Sequence, residues 1–249
     1  MRTSSASLDR FYGGSLGQLA VQVLRQKLAD AWGDLSGLRV GGFGFTGGLL
    51  PVFPKAERVI DMAPAGAGAV IGPNTVLVEE DNWPLREASL DRLVLFHALE
   101  EASDPRRILR EAWRVLTDDG RLIIIAANRH GFWTLIENSP LAAGRPFSRR
   151  QLHELLAKGM FAPTAQASAL YFPPLTQLRP IAPLWERTGD RLEPLGIPLP
   201  NVAGALLIEA RCSLAVPASG SKAEVFGPLL APGRRRVVGL AAEKKRRSG

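Results

Sequence analysis

Apolar residues recur at three- and four-residue spacing from Leu16 through Leu19, Ala20, Val23, Leu24 and Leu28 to Ala31, while Gln22, Arg25 and Gln26 take the other side. That period predicts an amphipathic helix, opened by Ser15 and ended near Gly33. Beyond it the pattern changes to short apolar runs. Leu38–Val40 predicts a first strand leading into a glycine-rich turn, and Glu57–Met62 a second, ending at Asp61. The segment between them, with Pro51 and Pro54, allows only a brief helix. Asn74–Asp81 predicts a third strand, Arg92–Phe96 a fourth and Arg121–Asn128 a fifth.

Ile108, Leu109, Ala112, Trp113 and Leu116 form one helical stripe, started by Asp104-Pro105 and followed by a turn at Thr117–Gly120. A serine-capped helix from Ser148 to Gly159, a strand at Thr164–Phe172 and a last strand at Val202–Leu214 complete the pattern. Strands alternating with helical segments imply an α/β fold with a mostly parallel sheet covered on both faces. Ligands of such folds sit beyond the strand C-termini, where Gly42–Gly47, Asp61, Glu79, His97 and Asn128 are expected to converge.

Composition adds boundaries. Residues 1–214 are read as one domain with a Pro-rich insert at 173–200, which holds seven prolines around Trp185. Residues 215–249 are read as a basic, disordered Pro/Gly/Ser/Arg tail outside the core. Six of the seven net positive charges fall between Arg234 and Arg247, so the domain itself is nearly neutral. Such a tail can make weak contacts with anionic partners, but no aromatic residues interleave with it to stack on bases, so specific nucleic-acid recognition is not predicted. The single cysteine, Cys212, excludes an internal disulfide. With no cleavable apolar leader and no stretch long enough to span a bilayer, the chain is expected in the cytoplasm.

Candidate chemistry starts at Gly42, Gly44 and Gly47, which spell G-x-G-x-x-G, with Asp61 19 residues beyond Gly42. Glycines there let backbone turn sharply near a cofactor, and a carboxylate can accept bonds from both ribose hydroxyls. The same spacing fits a dinucleotide-binding oxidoreductase using NAD, and a purely structural glycine turn also satisfies it. His97 is the candidate general base, with a loop histidine bonded to backbone as its plain alternative. Asn128 and Arg129 are candidates for substrate binding beside ordinary loop roles. Three histidines without ligand spacing predict no metal site.

Several segments, taken in order, resemble the bacterial class I S-adenosylmethionine-dependent methyltransferases of the small-molecule, type-11-like group. They are the glycine turn at 41–47, "VIDM" at 59–62, and the stretch from Val78 to Pro105 with Trp83-Pro84-Leu85 before Asp91. The helix, turn and strand at 108–128 and the helix at 147–161 continue the likeness. The resemblance implies a seven-stranded Rossmann-like methyltransferase sheet with its last strand antiparallel, and S-adenosylmethionine as cofactor. It places Gly42 and Gly44 under the methionine part, Asp61 at the ribose and Glu79 near the adenine, and it implies methyl transfer to a small acceptor. The fourth-strand and R-V-L segments set it above the oxidoreductase reading. This chain departs from the pattern at Val40, where the group carries an acid, at Asp119 in place of a glycine, and at Pro51 in the first helix. Those departures leave open a degenerate member that serves as a binding or scaffold protein.

Overall fold

The computed structural model of the chain describes residues 5–65, 74–136, 139–192, 202–213 and 224–225. Its centre is a sheet of β1 (Arg39–Gly44), β2 (Arg58–Pro64), β3 (Thr75–Val78), β4 (Leu90–Phe96), β5 (Leu116–Ala127), β6 (Phe161–Ala169) and β7 (Ala205–Cys212), with the two-residue β8 (Glu224–Val225) at one edge. The order is β3-β2-β1-β4-β5-β7-β6-β8. The strands from β3 to β5 are parallel, and β7 runs antiparallel between β5 and β6. The expected seven strands with the last one reversed are therefore present. β8, from the segment read as a tail, pairs along β6. The reversed strand separates this sheet from the all-parallel order of dinucleotide dehydrogenases.

Helices cover both faces, which is why Leu122–Ala127 of β5 and Ala205–Ile208 of β7 are apolar without a break. On one face, Leu24 and Leu28 of α2 (Ser15–Trp32) pack with Val40, Val94, Ile123 and Leu207. On the other, Ile108, Leu109 and Ala112 of α3 (Pro105–Val115) pack with Leu93, Leu95 and Ile124, joined by Leu152 and Leu156 of α4 (Arg149–Lys158). Ser148 and Gln151 form a full capping box at the start of α4.

Local details differ from the sequence pattern. A helix not anticipated, α1 (Ser5–Gly13), precedes α2, and Gly14, not Ser15, is the residue at the α2 cap. β1 continues through the glycines to Gly44, because their backbones pair with both β2 and β4. β2 runs on to Pro64 by pairing with β3, so Asp61 sits within the strand instead of at its end. The Thr117–Gly120 turn is an irregularity inside β5, where the register against β4 slips between Leu90 and Arg92. β6 begins at Phe161 and stops at Ala169, ahead of Leu170 at φ 63°. Between β1 and β2 there is only a single 3-10 turn, Leu50–Val52, with Pro51 inside its first positions. The insert contributes a 3-10 turn at Thr176–Ile181 and the helix α5 (Ala182–Leu192), while 193–201 lies outside the described residues.

Two charged pairs fix the strands that carry the site. Asp91 at the start of β4 accepts from the backbone nitrogen, Nε and Nη2 of Arg39 at the start of β1, at 2.9, 2.9 and 3.0 Å. Arg114 and Glu111 of α3 clamp the segment ahead of β4. Arg114 donates to the carbonyls of Trp83 and Leu85, and Glu111 accepts from the Trp83 nitrogen and from Arg114. Trp83 is thereby buried with its ring 4.8 Å from that of Phe43. No helix among the described residues is long and apolar enough to cross a membrane.

Candidate functional site

The loops after β1 and β4 lie directly against each other. The Phe45 nitrogen donates to the Phe96 carbonyl at 2.8 Å. Gly44 has φ 108°, and a Cβ there would lie 2.1 Å from that same carbonyl. A Cβ on Gly42 would lie 2.1 Å from Thr46 Oγ1. Both glycines are required by close approach of the protein to itself, and they allow Thr46 to fold back over β1.

Thr46 and Asp61 meet above the β1–β2 pair. Thr46 Oγ1 donates to Asp61 Oδ1 at 2.5 Å, and Thr75 Oγ1 donates to Asp61 Oδ2 at 2.9 Å. Asp61 is 8 % exposed. Burial raises its pKa from the ordinary carboxylate value, and the two hydroxyls offset part of that rise. Because no full helix fills the β1–β2 crossover, a cavity of about 480 Å3 opens there. Leu50, Phe53 and Val59 wall it, and Asp61, Asn74 and Thr75 supply its polar end.

A second cluster stands beyond β4. His97 takes φ 51°, a left-handed conformation uncommon outside glycine, which turns its ring toward α1. Its Nε2 lies 2.7 Å from the hydroxyl of Tyr12. The Tyr12 ring stacks on Phe45 at 5.1 Å and meets Phe96 edge-on at 5.7 Å. Burial lowers the His97 pKa to about 3 and raises that of Tyr12 well above its ordinary value, with the Glu100 carboxylate adding to the rise. Both groups are therefore neutral near pH 7, and one proton is shared between them in an ordinary hydrogen bond. Glu100 is itself buried and accepts from the Ala127 nitrogen at 2.8 Å.

The residues singled out in the sequence thus separate into groups. Asp61 lines the cavity with Gly47, Gly42 pairs beside Asp61 and packs under Thr46, Gly44 lies instead against the Phe96 carbonyl, and His97 lies in the aromatic cluster with Tyr12 and Phe96. Glu79 is exposed just past β3, in a bridge to Asn82. Asn128 is buried and committed to the protein, donating to the Ala203 carbonyl at 2.7 Å and accepting from the His130 nitrogen. Arg129 is exposed, its backbone nitrogen bonded to Phe147. Tyr12, Thr46 and Thr75 escaped the sequence pattern, although Thr46 falls within the glycine motif itself.

Comparison with known proteins agrees with the topology. A family model described as a methyltransferase domain matches residues 60–124, the span from β2 into β5. An uncharacterized protein of Escherichia coli K12, YafS, is 38% identical over 79 residues, covering 31% of this chain and 33% of that protein. The match thus spans about a third of the curated relative's length. Among solved structures, a complex between the Haloferax volcanii Trm112 methyltransferase activator and the putative methyltransferase aligns with TM-score 0.57 and 18% identity, covering 84% of this chain and 96% of that chain. Geranyl diphosphate C-methyltransferase of Streptomyces coelicolor A3(2), solved with Mg2+, geranyl diphosphate and S-adenosyl-L-homocysteine, aligns with TM-score 0.54 and 16% identity, covering 75% of this chain and 77% of that one. At these identities the likeness is one of fold.

Proposed function

We propose that the chain is a class I S-adenosylmethionine-dependent methyltransferase and that it transfers a methyl group to a small acceptor held between the loops after β1 and β4. The observation that carries this reading is the setting of Asp61. Its carboxylate offers about four lone-pair sites, two of which accept threonine hydroxyls, and it faces a cavity with apolar walls. That donor set fits the nucleoside half of S-adenosylmethionine, with Asp61 toward ribose hydroxyls and Leu50 and Phe53 beside an apolar ring. The amino-acid half has no acid at Val40, which is fully buried in the core.

When bound, the cofactor supplies an electrophilic methyl group on a sulfonium, which needs alignment of the acceptor more than acid–base chemistry. The protein's part is to hold the acceptor and exclude water. His97 at a pKa of about 3 is a poor base in the closed arrangement. Displacement of Tyr12 by an acceptor would open His97 to a new partner at Nε2 and lift the burial that depresses it. Glu79 is proposed to lie near the adenine, and Arg129 to reach the acceptor from the β5 exit.

Isothermal titration with S-adenosylhomocysteine, with NADH as comparison ligand, tests the reading. Binding of S-adenosylhomocysteine alone, weakened in Asp61→Asn, supports it and justifies an acceptor screen. Binding of neither ligand supports a degenerate fold retained for interaction, a reading to which the buried Val40 and the Tyr12–His97 closure would then belong. NADH binding would favour an oxidoreductase.

A further inference from the structure

Helix α5 is fastened to the domain by polar groups and shows apolar ones to solvent, the reverse of an ordinary surface helix. On its buried side Glu186 accepts from the backbone nitrogens of Leu170 and Tyr171 at 3.2 and 2.5 Å. Asp190 pairs with the largely buried Lys27 of α2. Gly189 lies so close to Tyr171 that a Cβ would come 2.3 Å from its ring. These contacts set the rotation of the helix. What they leave outside is Leu184 and Trp185 of α5, joined by Ile181 at the end of the preceding 3-10 turn, with exposures of 65%, 39% and 43%. The exposed Arg187 and Arg191, one helical turn apart, edge this face on the Leu184 side, and the exposed Thr188 lies within it.

We propose that this face of α5 docks on an anionic lipid surface. An apolar strip with a tryptophan, edged by arginines on a short helix, has the composition of an element lying in the plane of a bilayer interface. Charge complementarity identifies the partner. The same chain carries six net positive charges between Arg234 and Arg247, giving a second, electrostatic attraction to acidic headgroups. Nucleic acid would use the basic charges but has no use for Leu184 and Ile181, and aromatic residues do not interleave with the basic run. The inference is independent of methyl transfer.

Co-sedimentation of the full chain with phosphatidylcholine vesicles, with and without phosphatidylglycerol, tests the proposal. Binding is expected only with phosphatidylglycerol, and raised salt should weaken it by screening. Leu184→Gln, at an exposed position, should weaken partitioning about tenfold while leaving the thermal melt unchanged. Replacing Lys244, Lys245, Arg246 and Arg247 with Gln should weaken it about fivefold for each charge that reaches the surface. Absence of binding to acidic vesicles, or equal binding by Leu184→Gln, overturns the assignment. So does concentration-dependent self-association abolished by Leu184→Gln, which would make a second copy the occupant of this face.

Discussion

The hydroxyl of Tyr12 lies 2.7 Å from Nε2 of His97, so the first helix of the chain is tied directly to the exit of the central strand β4. The link joins residues 85 positions apart. Tyr12 stands just before the end of α1 at Gly13, and Gly14 alone separates that helix from α2. Tyr12→Phe keeps the stacking on Phe45 but removes the hydroxyl, leaving a buried imidazole nitrogen without its partner. A loss of about 1–3 kcal/mol is expected in chemical denaturation. The variant should also open α1 more readily, seen as faster amide exchange over Ser5–Gly13 than over α2. Unchanged exchange would show that the ring contacts alone hold the helix.

His97 supplies a pH dependence of its own. Its folded pKa of about 3 lies below the ordinary value of 6.5, so the unfolded chain binds the extra proton first as the solution is acidified. Stability is therefore expected to fall as pH drops from about 6.5 toward 3. His97→Gln, which cannot titrate, should flatten that part of the profile. Melting temperatures of the two proteins across this window decide it, and parallel curves would mean that other groups dominate acid unfolding.

At Asp61 stability and binding should separate. Asn at this position still accepts one threonine hydroxyl, and the other hydroxyl can rotate to accept from the amide, so the fold should lose little. Interaction with ribose hydroxyls loses its charged acceptor, a change of about 1.5–3 kcal/mol, or roughly 10- to 100-fold in affinity for S-adenosylhomocysteine. Calorimetry of ligand binding beside thermal melts of the free protein distinguishes this from general destabilisation.

The parts of the molecule legible in sequence are those whose information is local. β5 announces itself because Leu122–Ala127 is buried on both sides, and α3 because its apolar stripe holds the helical period. The glycine motif was legible as a motif but not as a geometry: only pairing with β2 and β4 shows that Gly41–Gly44 continues a strand. The nine residues of α1 span too few turns to display a period, and Tyr12 gains meaning only from distant His97. Asn128 looked available at a strand end, yet its amide is taken by Ala203, 75 residues away. Non-local hydrogen bonds of this kind leave no trace in hydrophobic spacing.

The clamp on the segment before β4 gives a sharper stability prediction. Arg114 makes four hydrogen bonds, two to the carbonyls of Trp83 and Leu85 and two to Glu111. Arg114→Lys keeps the charge but cannot reproduce the planar fork that reaches both carbonyls and the carboxylate. With the pair partly exposed, a loss of about 2 kcal/mol is expected for Lys and somewhat more for Ala, which also strands Glu111. Denaturation midpoints measure this, and a neutral Arg114→Lys would show that Trp83 packing against Phe43 fixes the segment by itself.

Glu186 makes the opposite pH prediction from His97. Its pKa is raised to about 7 by burial first, with Asp190 adding to the rise, while the Lys27 ammonium and the two backbone donors oppose it. The ordinary glutamate value is 4.5. Between these values the folded protein holds a proton that the unfolded chain has released, so the stability contributed by docking α5 is full below about 4.5 and declines as pH rises toward 7. Gln in place of Glu186 stays neutral throughout and keeps one oxygen to accept from the Leu170 or Tyr171 nitrogen. Glu186→Gln should therefore be near wild type at the acid end and more stable than wild type at neutral pH, by an amount on the order of a few kcal/mol at most. Melting curves of both proteins across this range test the sign directly. A variant less stable at neutral pH would mean that the ionised carboxylate, paired with Lys27 and the backbone nitrogens, is what holds the helix.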